Sequence, residues 1–436
     1  MKLVDASQTS ISLAVLGFYV CVVGIVSYIL KQRLFIASSV IALLLGVAVG
    51  PTGWGWIDPL RWTDGNLDRR NDLSYEIFRV VIGIQVLVTG IELPKAYLRH
   101  AWRSLFVLLF PIMTMAWFIS AGFIKALVPG LTFLEALCIA ACVTPTDPVL
   151  AASVVKGRFA EKYVRPAVRD LISAESGAND GMGFPFLYLA LFLLQRETEG
   201  WTVGDAVGQF LYTWLYQILL SCAIGGVIGF LARRSLKYAE AQDWIEDESF
   251  LAYGLGLTFL VLGIVGMIAS DDLLAAFIVG NSLTWDDWFR IKTEDAHFQA
   301  VLDNFIDAAV FLYIGALIPF AEMQNAATGL NAGKLVGLVF LILVFRRLPA
   351  MLLFKGLINE LATWREACFV GFFGPMGVGA VYYVSAALKE IPADRVQLRD
   401  TITPVVYIIV LGSVIVHGIT IPVAKLGVRG TQSRVR

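Results

Sequence analysis

Long apolar stretches alternate with short polar ones along the chain, and their spacing predicts membrane-spanning helices. A helix that crosses a bilayer takes about twenty mostly apolar residues. Runs of that kind predict spans at Ile11–Leu30, Leu34–Gly50, Leu73–Leu93, Leu105–Leu127, Leu131–Val155, Val164–Leu194 and Val203–Ala232. After a charged loop the pattern resumes at Phe250–Ile268, Leu273–Leu283, Phe305–Phe320, Leu335–Leu353, Cys368–Leu388 and Ile402–Leu426. The prediction is an all-α polytopic membrane protein of about thirteen transmembrane helices, the ninth a short one. The first run is too long for the core of a signal peptide, and no small-residue cleavage site follows it. The longest loops, Pro51–Asp72, Arg233–Glu248 and Trp285–Asp303, are too short for a soluble domain. The whole chain, 1–436, therefore reads as one membrane domain.

Composition agrees. The chain is 58% hydrophobic and 16% charged, where soluble domains average about 25% charged residues. Its mean hydropathy is +0.73. A net charge of -1 offers no basic patch for nucleic acid. The cysteines lie in apolar runs, and no His or Cys completes a zinc set around Cys138 and Cys142. Numbered alternately, one set of loops holds most of the Lys and Arg, among them Lys31, Arg33, Arg99, Arg103, Lys156, Arg158, Arg233, Arg234 and Lys237. The positive-inside rule puts that set in the cytoplasm, with the N-terminus outside and the C-terminus inside.

Two spans are interrupted. The fifth contains "CVTPTDPVL" and the twelfth "GFFGPMGVGA". Paired Pro/Gly breaks in corresponding halves of a transporter mark a binding site near the bilayer midplane. They fit inverted repeats of six spans joined by the seventh. The plainer reading is a pair of proline kinks, which membrane helices tolerate. Proline lacks an N–H, so Pro148 frees the carbonyl of Thr144 and Pro145 that of Ala141. With the hydroxyls of Thr144 and Thr146 and the carboxylate of Asp147, the fifth break collects oxygens suited to a monovalent cation.

The sixth span carries "AESGANDGMGFP". On a helix, Arg169, Ser173, Ser176 and Asp180 make one polar stripe, with Glu175 and Asn179 beside it. Charge in a membrane interior costs a few kcal/mol, about 2.5–3.5 on insertion scales, so such residues face protein or a wet cavity. Asp180 has no Lys or Arg within a turn and is flanked by Asn179, Gly181 and Gly183, which suits an ion-binding carboxylate. Glu175 calls for a cationic partner. Arg347 is the first choice and Arg346 the competitor, unless either reaches the membrane surface instead.

At these residues the chain resembles the fungal plasma-membrane sodium/proton antiporters, within the wider monovalent cation:proton antiporter superfamily. The carrying stretches are "CVTPTDPVLAASVVKGRFAEK", "RDLISAESGANDGMGFPFL", "DESFLAYGLGLTFLVLGIVG", "SDDLLAAFIVGNSLTWDDWF" and "GPMGVGAVYY". The resemblance implies thirteen helices with crossed broken helices. It implies a core (about 105–194 and 335–426), a dimerising scaffold (about 11–93 and 250–320) and a linking helix (about 203–232). It makes Asp180 the carboxylate that takes cation or proton. The Thr144 backbone oxygen, Ser176 and Asp147 fall around its ion site, and Glu175 with Arg347 falls as a supporting pair beside Asn179. Asp271 and Asp272 match a carboxylate pair implicated in fungal members, although a span end in an exterior loop explains them equally. Two features depart from the pattern. Pro375 stands where wider-family exchangers usually carry an Arg, and Phe372 stands where some fungal members have a polar or bulkier residue. The chain also ends soon after its last span, so regulation by a hydrophilic tail is not expected.

The expectation is exchange of Na⁺, Li⁺ or K⁺ for a proton at one shared carboxylate, driven by the proton gradient, in a homodimer within the bilayer. No cofactor or ATP site is visible. His100 sits at a helix end, where a plain interfacial residue is the simpler reading than a pH sensor. An intramembrane aspartyl protease would need Asp147 and Asp180 to share a proton, and its Gly-x-Gly-Asp is replaced by Gly177-Ala178-Asn179-Asp180. A cation channel would need a filter at a symmetry axis, and no repeat loop supplies one.

Overall fold

The computed structural model describes residues 7–24, 37–155, 162–200, 202–293 and 297–433. Every regular element among them is helical. In chain order, α1 is Gln8–Val23, α2 Ser38–Val49, α3 Leu67–Glu92 and α4 Trp102–Leu127. The fifth span is split into α5 Phe133–Cys142 and α6 Pro148–Val155. Then come α7 Pro166–Met182, α8 Phe184–Glu199 and α9 Val203–Ala241. The next stretch holds α10 Asp247–Met267, α11 Asp272–Leu283 and α12 His297–Leu317. The last part is α13 Ala332–Phe345, α14 Leu348–Phe354, α15 Trp364–Phe372, α16 Val378–Glu390 and α17 Val396–Ser433. Seven of the described helical stretches are long and apolar enough to cross a membrane, and further apolar ones are shorter. The far end of the first predicted span, the start of the second, and Lys31, Arg33, Lys156, Arg158, Arg434 and Arg436 lie outside the described residues.

The ends of the helices follow capping chemistry rather than hydropathy. α3 starts at Leu67, not Leu73, because the Asn66 side chain accepts the Arg69 N–H at 3.0 Å and starts the helix within a polar stretch. The sixth predicted span is α7 and α8 meeting at Gly183. Pro185 removes one backbone donor there, while the Gly183 N–H still reaches the Asn179 carbonyl at 2.9 Å, so the chain kinks without stopping.

The two breaks match in build. α5 and α15 each begin with a capping box, Thr132 with Glu135 and Thr363 with Glu366. Each runs only two or three turns before five non-helical residues, 143–147 and 373–377, and each is followed by a second helix. The unwound segments touch, with the Asp147 N–H donating to the Pro375 carbonyl at 2.8 Å.

Glycines bring α7 against α11. A Cβ at Gly181 would lie 2.5 Å from the Leu274 Cβ, and one at Gly177 would lie 2.6 Å from the Phe277 ring. Both positions exclude a side chain, and small residues allow such close helix approach in membranes.

Candidate functional site

Asp180 is 1% exposed, and neither oxygen of its carboxyl has a hydrogen-bond partner among the described residues. A charged group so placed is costly without a compensating ion. Its surroundings are built closely. Gly379, in the first turn of α16, lies against it; a Cβ there would come 2.6 Å from Asp180 Oδ1. The Tyr383 hydroxyl, one turn further on, donates to the Asp180 main-chain carbonyl.

Asn179 ties α7 to the first break through two bonds. Its Oδ1 accepts the Thr146 N–H at 3.2 Å, and its Nδ2 donates to Thr146 Oγ1 at 2.8 Å. The Ser176 hydroxyl lies 3.1 Å from the same Thr146 oxygen. Thr146, Ser176 and Asn179 thus form one buried polar knot one turn from Asp180, with Thr146 at its centre.

Each unwound segment exposes helix ends, and two charged side chains complete them. Asp147 accepts the Leu150 N–H at 2.9 Å, at the start of α6, and the Val378 N–H at 2.6 Å, at the start of α16. One carboxylate therefore caps two positive helix N-termini. Arg346 does the converse for the C-terminal ends. Its guanidinium donates to the carbonyls of Val143 and Thr144, the latter at 3.2 Å, and to Gly374 at 2.5 Å. Arg347 turns the other way and donates to Glu175, with both side chains buried.

The geometry differs from the sequence expectation in several places. The carbonyl of Thr144 does receive Arg346, and its hydroxyl donates to Ala140 at 2.7 Å. Both oxygens of Asp147 hold backbone donors, so its geometry is that of a helix cap. Asn179 bonds to Thr146 and not to the Glu175–Arg347 pair. Asp271 and Asp272 do stand at the start of α11, but they are 3% and 5% exposed and so are buried in the protein rather than set out in a loop. Asp271 caps α11 through the Leu274 N–H at 2.9 Å, and its other oxygen has no hydrogen-bond partner among the described residues. Asp272 meets Arg79 at 2.5 Å. His100 is exposed, its Nδ1 2.9 Å from the Ala96 carbonyl. Among the described residues no three His, Cys, Asp or Glu gather as a metal site.

Sequence reasoning passed over Gly379, Tyr383 and the carbonyl-holding role of Arg346. The first two stand in "GVGAVYY", where a tyrosine pair in mid-membrane was the available signal.

Residues 17–425 match the family described as sodium/hydrogen exchanger, transmembrane. The chain belongs to that family. Three curated relatives within it are fungal. A probable Na⁺/H⁺ antiporter of Schizosaccharomyces pombe is 38% identical over 98% of this chain and 57% of its own length. A Na⁺/H⁺ antiporter of Saccharomyces cerevisiae is 36% identical over 97% of this chain and 44% of its own. A second S. pombe Na⁺/H⁺ antiporter is 34% identical over 96% of this chain and 91% of its own. The chain thus spans about half the length of the first two. The solved structure of the sodium proton antiporter MjNhaP1 from Methanocaldococcus jannaschii superposes with a TM-score of 0.68 at 19% identity, covering 96% of both chains. That likeness confirms the polytopic helical fold of this sodium/hydrogen exchanger family member.

Proposed function

We propose that the protein is a secondary antiporter that exchanges a cytoplasmic alkali cation for a proton, both competing for the Asp180 carboxylate. One observation carries the reading: Asp180 is buried with two unpartnered oxygens, while Glu175 meets Arg347, Asp147 holds two N–H groups and Asp272 meets Arg79. An acid in that setting is neutralised by a proton or by a bound cation, and binding one excludes the other. The names of the fungal relatives support Na⁺ and H⁺ as the pair. Li⁺ fits the same hard-oxygen chemistry, and K⁺ is the further candidate.

Oxygens of Ser176 and Thr146 belong to the polar knot that includes Asn179, the residue before Asp180, and in this reading they complete the cation's shell together with water. Thr144 and Asp147 act through the crossing rather than on the ion. The core of helices around the breaks rocks against a scaffold that includes α3 and α11, in a homodimer, and only loaded forms of Asp180 change sides. The basic loops face the cytoplasm, and the plasma membrane is the place where an inward proton gradient would expel Na⁺. Asp147 does not share a proton with Asp180 in this reading, which removes the acid pair that a protease would need.

The unpartnered oxygen of Asp271 favours one variant of the reading, in which a second proton accompanies the exchange. Purified protein in liposomes with a trapped pH dye separates these cases. Na⁺, Li⁺ or K⁺ added outside should drive proton movement in wild type and not in Asp180→Asn. A potassium/valinomycin clamp that leaves the rate unchanged indicates one-for-one exchange, and a rate that follows the clamp indicates the second proton. No cation-driven proton movement in well-inserted wild type would overturn the reading. Within it, lowering pH should raise the apparent Na⁺ KM at constant maximal rate.

A further inference from the structure

We propose that His417 and Ser413, on the last helix, are positioning residues for cation binding: they clamp the unwound segment 373–377 and so fix Gly379 against Asp180. The inference rests on the antiport reading above.

The segment leaves polar backbone groups inside the protein, where each needs a partner. Arg346 takes the Gly374 carbonyl, and Asp147 takes the Val378 N–H and gives its own N–H to Pro375. Two further partners come from α17. Ser413 Oγ accepts the Met376 N–H at 2.7 Å. His417 Nε2 lies 3.0 Å from the Phe372 carbonyl, the last of α15, which also accepts the Gly374 N–H at 3.0 Å. His417 Nδ1 lies 3.2 Å from Ser413 Oγ.

Nδ1 also lies 2.9 Å from the Ser413 main-chain carbonyl; both carbonyls can only accept, and the clamp takes the ring form that carries its hydrogen on Nε2, toward Phe372. Ser413 Oγ accepts from Met376 and, with the hydrogen on Nε2, can give its own to Nδ1. Contacts thus run without a gap from the Met376 N–H through Ser413 and His417 to the Phe372 carbonyl. They join the two sides of the break through one turn of α17. Both side chains are buried, at 0% and 2% exposure, and the rings of Phe372 and Phe373 flank the imidazole at 5.5 and 5.9 Å between centroids. Water therefore does not replace a lost partner easily.

The link to the ion is covalent and short. Three residues after Met376 comes Gly379, whose Cα forms the wall beside Asp180 Oδ1. Loosening the clamp lets that wall move.

The test uses His417→Gln, His417→Asn and Ser413→Ala. Glutamine can place an Nε2 donor where the imidazole Nε2 stands, and asparagine reaches only to the Nδ1 position. In proteoliposomes, His417→Asn and Ser413→Ala should raise the apparent Na⁺ KM on the order of fivefold, the scale of one buried hydrogen bond. Maximal rate per inserted protein should change little, and His417→Gln should stay within about twofold of wild type on that scale. Hydrogen exchange of the amides at Met376 and Val378 should quicken in Asn and Ala variants but not in Gln. That second readout needs no transport, so it stands even if wild type moves no protons. Equal KM values for Gln and Asn, or unaltered exchange in Ser413→Ala, would overturn the clamp. A variant that fails to insert is replaced by Ser413→Ala, which keeps the ring and removes only one hydroxyl.

Discussion

Glu175 and Arg347 meet deep in the protein, with side chains 6% and 7% exposed. Breaking one partner of such a pair leaves an uncompensated charge and costs about 3–5 kcal/mol. Arg347→Ala should therefore lower the melting temperature in detergent strongly. The double exchange Glu175→Arg with Arg347→Glu should recover much of the loss and some transport. No recovery, with both forms inserted, would remove the pair from the supporting role proposed for it. The acids of "AESGANDG" were legible because charge inside an apolar run demands an explanation from the sequence alone. The choice between Arg346 and Arg347 was not. The two are adjacent, and they diverge because α13 ends at Phe345 and α14 begins at Leu348, which turns one guanidinium to the break and the other to α7.

Among elements, the pair of short helices with capping boxes is the repeated unit. The Pro and Gly in the breaks could be read directly, since these residues weaken any helix. The matching Thr-x-x-Glu starts at Thr132 and Thr363 were an unused signal of the same repeat. What fills the opened backbone could not be read, because Asp147, Arg346 and Ser413 reach it from distant parts of the chain. Asp147→Asn separates a cap from a cation ligand. An asparagine turns an NH₂ group toward one of two backbone donors, leaving that donor unpaired at about 1–3 kcal/mol. The expected outcome is a lowered melting temperature without added cation, with KM altered less than rate. An unchanged melting temperature with a lost Na⁺ affinity would return Asp147 to the ion's own shell.

For the whole molecule, apolar runs located most of the helices but not their polar ends. α9 runs to Ala241, past the predicted Ala232, because "RRSLKYAE" is hydrophilic yet helix-compatible. Contacts between remote helices were outside the reach of any run of residues. One such contact joins α3 to α16. The rings of Tyr75 and Tyr382 stack at 4.9 Å, Lys389 pairs with Asp72 at 3.0 Å, and its ammonium sits 3.9 Å from the Tyr75 ring centre. If core and scaffold rock apart, this contact must open once per cycle. Cysteines replacing Asp72 and Lys389, bridged by a short thiol-reactive linker, should stop exchange, and cleaving the linker should restore it. Full activity in the bridged protein would show that these helices move as one body.

The two breaks, α7 and the junction of α13 with α14 bury three acids, Asp147, Glu175 and Asp180, and two arginines, Arg346 and Arg347. The arginines balance two of the acids in number, and the carboxylate with no partner of its own is Asp180. In the one-for-one form of the proposed exchange, either a proton or a monovalent cation neutralises the group, and the two filled forms look alike to the bilayer and to its voltage. A potential of 100 mV exerts about 2.3 kcal/mol on a full charge that crosses it and nothing on a neutral body. An empty carrier would have to drag the leftover charge through hydrocarbon. If the protein works as the antiporter proposed above, the same odd number of charges that makes room for an ion opposes cycling without one, and electrostatics guards against a leak.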